Sequence, residues 1–121
     1  MIIEIDPVSK PRMTQSDRWR SRPCTDKYWA YKDRLIELYG DREVPEALHL
    51  IFTIPMSTSW SVKKKATMMG RPHQNKPDID NLIKAFLDAL LPDDAHVWDI
   101  RASKLWGTSG SIQVRDLAKD P

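Results

Sequence analysis

The chain has 121 residues, 40% hydrophobic and 30% charged, with a formal net charge of +2 and one cysteine, Cys24. That length suits one domain, residues 1–121, burying roughly two-thirds of its unfolded surface. A lone cysteine excludes a disulfide framework and a cysteine-based metal cluster, no apolar run nears the ~20 residues of a membrane span, and "MIIEIDPVSK" lacks an export-signal pattern, so a cytoplasmic protein without a membrane partner is expected.

In chain order, "MIIEI" alternates and predicts a short strand ended by Pro7. Residues 8–25 hold Pro11, Pro23 and several Ser and Thr without a period, and read as a long basic loop. Thr25 or Asp26 caps a helix over residues 27–39, with Tyr28, Tyr31, Leu35 and Leu38 on one face and Gly40 as its stop. "LHLIFTIPM" predicts a central strand ended by Pro55. "STSWSVKKKATMMG" reads as a short helix capped by Ser59 and ended by Gly70, and "RPHQNKP" as a polar connector. "NLIKAFLDALL" is an amphipathic helix, with Leu82, Phe86, Ala89 and Leu90 on one stripe and Pro92 stopping it. "HVWDIRASKLWG" and "SIQVRDL" alternate on either side of "TSG" and predict a β-hairpin. The order β-α-β-(α)-α-β-β predicts an α+β domain, a mixed β-sheet with helices packed on one face.

Charge is unevenly spread. Residues 8–27 carry Lys10, Arg12, Arg18, Arg20, Arg22 and Lys27 against Asp17 and Asp26. Residues 48–77 carry Lys63, Lys64, Lys65, Arg71 and Lys76 with no acid, and residues 78–99 carry six Asp against Lys84. An acidic segment flanked by two basic ones suits a polyanion held by its phosphates while a metal acts on one of them. Asp78 and Asp80 precede the apolar helix at i and i+2, so in extended backbone both face one point, and Lys84 lies one helical turn beyond Asp80. Carboxylates converging there repel unless a cation joins them, and hard oxygen ligands favour Mg²⁺ or Mn²⁺. The same D-x-D also reads as a simple helix cap, Asp88 as part of a solvated stripe, and Asp99 as a structural strand residue. No glycine-rich phosphate loop, nucleophile elbow or paired histidines offer rival chemistry, and no small-molecule cofactor is expected. His49 reads as a sheet residue, while His73 could touch phosphate. Trp19 and Trp60 lie in basic segments, where they could stack on bases.

The stretch "DIDNLIKAFLDALLPDDAHVWDI" resembles the RusA family of Holliday junction resolvases, with its D-x-D-N-x-x-K, leucine-rich helix, D-D and following strand. "KPRMTQSDRW" is similar to a basic loop of phage-type members. The resemblance implies a homodimeric, Mg²⁺-dependent (or Mn²⁺-dependent) endonuclease that nicks four-way junction DNA symmetrically in recombination and repair. It assigns catalysis to Asp78, Asp80, Lys84 and Asp94, and metal binding to Asp78, Asp80 and Asp94, with Asp93 as the alternative. DNA phosphates would be met by Arg12, Arg18, Arg20, Arg22, Lys63, Lys64, Lys65, Arg71 and Lys76. The rivals are a metal-dependent nuclease for other branched DNA and a non-catalytic DNA-binding module.

Overall fold

The apolar run after Pro45 becomes the centre of the sheet because both neighbouring strands pair with it. The computed structural model describes residues 1–12 and 23–119. Among them the chain forms β1 (Ile2–Ile3), α1 (Pro23–Tyr39), β2 (Ala47–Pro55), α2 (Val62–Met68), α3 (Ile79–Leu90), a 3₁₀ turn (Asp94–His96), β3 (Asp99–Gly107) and β4 (Ser111–Asp116). The four strands make one mixed sheet in the order β1-β4-β2-β3. β2 runs parallel to β3, Ala47 opposite Asp99, and antiparallel to β4, Leu48 opposite Asp116.

The expected β3–β4 hairpin does not form, because β2 lies between the two strands. The connection at residues 108–110 must cross two strand spacings, about 9.6 Å, over the end of β2. Glycines make the close passage available. A Cβ on Gly107 would collide with the Thr53 side chain, and one on Gly110 with Asp6.

Side chains two apart share a face of a strand. Leu48, Leu50 and Phe52 of β2, Ile112 and Val114 of β4 and Ile3 of β1 therefore point one way. They pack against Tyr28, Tyr31, Leu35 and Tyr39 of α1 and Leu82, Ala85, Phe86 and Ala89 of α3, so both long helices cover one face. Phe86 is fully enclosed and meets Tyr39 edge-on, at 6.5 Å between ring centroids. Truncation there leaves a cavity, so Phe86→Ala should cost about 3–5 kcal/mol of unfolding free energy, read from the urea midpoint.

Helix starts differ from expectation in an instructive way. α1 begins at Pro23, upstream of Thr25 and Asp26, since proline fits a helix's first turn. Ser61, not Ser59, caps α2, accepting a hydrogen bond from the Lys64 N–H at 3.1 Å. Gly40 and Gly70 follow α1 and α2 with φ of 69° and 75°, the left-handed stop that glycine supplies. No helix among the described residues is long and apolar enough to cross a membrane.

Candidate active site

The connector that delivers Asp78 is stitched to the free edge of β3. Gly70 N–H donates to Trp106 O at 2.9 Å, Trp106 N–H to Arg71 O at 3.0 Å, and His73 N–H to Lys104 O at 2.9 Å. Beyond His73 the backbone ladder gives way to a side chain. The Lys104 ammonium donates to Asn75 O at 2.8 Å and to Pro77 O at 2.6 Å.

Asp78 then stands as the N-cap of α3 with extended backbone, its carboxylate making no capping bond. Both its oxygens instead accept from Lys76 Nζ, at 2.8 and 2.7 Å. Asp80 lies within the first helical turn, so the expected extended i, i+2 pair is replaced by a cap and a helical residue. α3 starts early because its apolar stripe packs as far forward as Leu82. Asp78 and Asp80 nonetheless line one open cavity of about 530 Å³, with His73, Gln74, Asn75, Lys76, Ile79 and Lys104.

Lys84 does not border that cavity. It is exposed on α3 and lines an adjoining concavity with Lys10, Pro11, Arg12 and Asn81. The segment before Arg12 is fastened along α3: Lys10 N–H donates to Asn81 O at 3.3 Å, and Lys10 Nζ pairs with Asp88 Oδ2 at 2.5 Å. Asp88 is thus an ion-pair partner, where a solvated residue was expected, and its hydrogen bond raises the Lys10 pKa above the ordinary value.

Asp93 and Asp94 are exposed at the far end of α3, whose twelve residues rise about 18 Å. The Asp93 carboxylate caps the 3₁₀ turn, accepting from Ala95 N–H at 3.0 Å. That turn is tied to the start of β2, with a His96 Nε2 contact to Val44 O at 3.2 Å and Trp98 N–H donating to Glu46 O at 2.9 Å. Lys104 is five residues further along β3 than Asp99, roughly 17 Å at the strand rise. Within one chain, then, Asp94 is not gathered beside Asp78 and Asp80. No three His, Cys, Asp or Glu among the described residues stand together as a ready metal-binding group.

Of the other basic residues, Lys63, Lys64 and Arg71 are exposed, Lys65 is half-buried and Arg12 is exposed. Arg18, Arg20, Arg22 and Trp19 lie outside the described residues. Trp60 packs on Trp106 at 4.8 Å and carries Lys64 Nζ 4.1 Å from its ring centre, so its ring is already engaged within the protein.

Of the cavity's two further basic side chains, sequence reading offered His73 as a phosphate contact and passed over Lys104. Lys104 was legible only as a lysine in phase with the apolar Ile100, Ala102 and Trp106. His73 is 4% exposed, its ring 4.3 Å from Trp106 and its Nδ1 without a partner. Burial, then the Lys104 ammonium, push the His73 pKa below 6.5, while burial, Arg115 and Arg101 do the same to His49. Between the folded and unfolded values the unfolded chain binds more protons, so these rings contribute stability above pH 6.5 that is lost as pH falls through the lowered values. The urea midpoint should therefore drop from pH 7.5 to pH 5, and His73→Gln should flatten that drop.

The model of the family described as endodeoxyribonuclease RusA matches residues 4–115 of this chain. No curated protein and no solved structure matches it.

Proposed function

The chain belongs to the RusA endodeoxyribonuclease family, and on that premise we propose that it is a homodimeric endonuclease that resolves four-way (Holliday) DNA junctions by paired symmetric nicks in recombination and repair. Residues 1–121 act as one endonuclease domain. One observation above all supports the reading: Asp78 and Asp80 line a single open cavity at the start of α3.

The donors suit a hard divalent cation. Two carboxylates border the cavity, and one of them already holds a cation, the Lys76 ammonium, on both its oxygens. Such oxygen donors favour Mg²⁺, with Mn²⁺ as a substitute. Bound there, the ion would supply Lewis-acid polarisation of a phosphoryl oxygen and an acidified water. Asp78 and Asp80 would hold it. Asp94, with Asp93 as the alternative, is assigned as a further ligand.

Because Asp94 follows the opposite end of α3, it comes to the pair from the second chain of the dimer. Two copies then make two composite sites, the number that paired nicking requires. Lys84 meets the phosphate beside the cavity and offsets charge developing on its oxygens, with Arg12 in the same concavity. Lys63, Lys64, Lys65, Arg71 and Lys76 contact backbone phosphates, which fixes register without reading bases. Arg18, Arg20 and Arg22 are assigned the same work.

Cleavage of a labelled synthetic junction, beside linear duplex of the same sequence, tests the proposal. Paired symmetric nicks on the junction in Mg²⁺, lost in EDTA, are expected. Equal cutting of duplex would indicate a nuclease of broader preference, and binding without cutting in any metal a DNA-binding module.

A further inference from the structure

We propose that Lys104 is a positioning residue of this site: its ammonium sets where the Asp78 carboxylate stands and so governs the hold on a divalent cation. The assignment rests on the metal-dependent nuclease reading above.

Strand alternation puts Lys104 on the inward face of β3, opposite Phe52 and between Ala102 and Trp106. A charge on that face is costly unless its donors are satisfied. Lys104 meets the requirement with two carbonyls, Asn75 O and Pro77 O, at 2.8 and 2.6 Å. The two acceptors flank Lys76, and the Pro77 carbonyl belongs to the peptide that enters Asp78. Backbone pairing along β3 has ended by then, its last bond being His73 N–H to Lys104 O. Pro77 has no N–H with which to resume it. Lys104 therefore does with its side chain what the ladder does up to His73, and it fixes the last residues before the ligand. Lys84 cannot substitute, since it borders a different concavity.

The charge of Lys104 and its anchoring act on metal affinity with opposite signs. Removing a nearby positive charge alone tightens cation binding, whereas releasing Asp78 from its set place weakens it. Groups that orient a ligand typically govern about 10–100-fold in metal affinity.

Mn²⁺ binding to the intact protein, followed by the electron paramagnetic resonance signal of the free ion, separates the two. Lys104→Met should weaken Mn²⁺ binding by about 10–100-fold. Lys104→Arg, which keeps the donors, should recover most of that loss, and junction binding in EDTA should hardly change. Unchanged or tighter Mn²⁺ binding in Lys104→Met, with normal binding by the unaltered protein, overturns this assignment alone. If Lys104→Met does not fold, Lys104→Leu, which likewise removes both the charge and the donors, is read by the same sign. Failure of the unaltered protein to bind Mn²⁺ overturns the metal-site reading itself, and this assignment with it.

Discussion

Asp80→Asn should leave a folded protein that still binds a four-way junction yet cuts it about 10³-fold more slowly or not at all, since each ~1.4 kcal/mol of lost transition-state stabilisation is tenfold and a metal site supplies several. The substitution keeps size and shape at an exposed position in the first turn of α3, so little packing is at stake. The helix loses a favourable charge near its N-terminus, a matter of about 0.3–1 kcal/mol. What changes is the donor, because a neutral amide is a poor ligand for a hard cation. Repulsion between carboxylate and phosphate also falls, so affinity for the junction in EDTA should hold or increase. Single-turnover cleavage and a gel-shift titration read the two effects separately. Native-rate cutting by Asp80→Asn would remove this residue from the site.

A larger contrast comes from mixing two inactive proteins. Asp78→Asn and Asp94→Asn are each expected to be dead alone. If each site takes Asp78 and Asp80 from one chain and Asp94 from the other, a mixed dimer has one doubly damaged site and one intact site. Random re-pairing makes about half the dimers mixed, so about a quarter of the native sites should return, each nicking one strand only. If all three carboxylates act from the same chain, every site in every mixture lacks a ligand and no activity returns. Co-refolding the two variants at equal concentration and counting nicked against linear-resolved junction decides between these cases. The expectation stems from α3 itself, which separates the two ends of the acidic segment by its whole length.

Much of this architecture is written locally. The stripe of Leu82, Phe86 and Ala89 declares α3, and the apolar "LHLIFTIPM" declares β2, because burial on one side leaves a periodic trace. What the trace omits is partnership. Two alternating stretches joined by "TSG" look like a hairpin, but β2 offers each a more apolar neighbour, and two glycines let the chain step over its end. The Lys10–Asp88 pair joins residues 78 apart in sequence, beyond any helical spacing rule. Lys104 sits where alternation expects an apolar side chain, and only the carbonyls of Asn75 and Pro77 explain it. The D-x-D is legible as the start of α3, but not as an extended pair: a helix that caps at Asp78 cannot keep Asp80 extended.

The strand order also governs how the chain reaches its fold. β2 is the hub of the sheet, yet its partners β3 and β4 are synthesised roughly fifty residues after it, and β1 pairs with β4 across nearly the whole chain, Ile2 opposite Gln113. Among the described residues β2 and β3 are the one pair of consecutive strands that are neighbours in the sheet, and the whole of residues 56–98 lies between them. Local collapse can gather α1 or α3 but closes no ladder, so the rate-limiting step must assemble distant segments together, the situation in which folding slows into the millisecond-to-second range. On the ribosome, the edge of β2 that β4 takes stays unpaired until β4 emerges. A nascent chain stalled before Ser111 therefore presents an apolar strand with one open edge, and holdase chaperones have their natural target there.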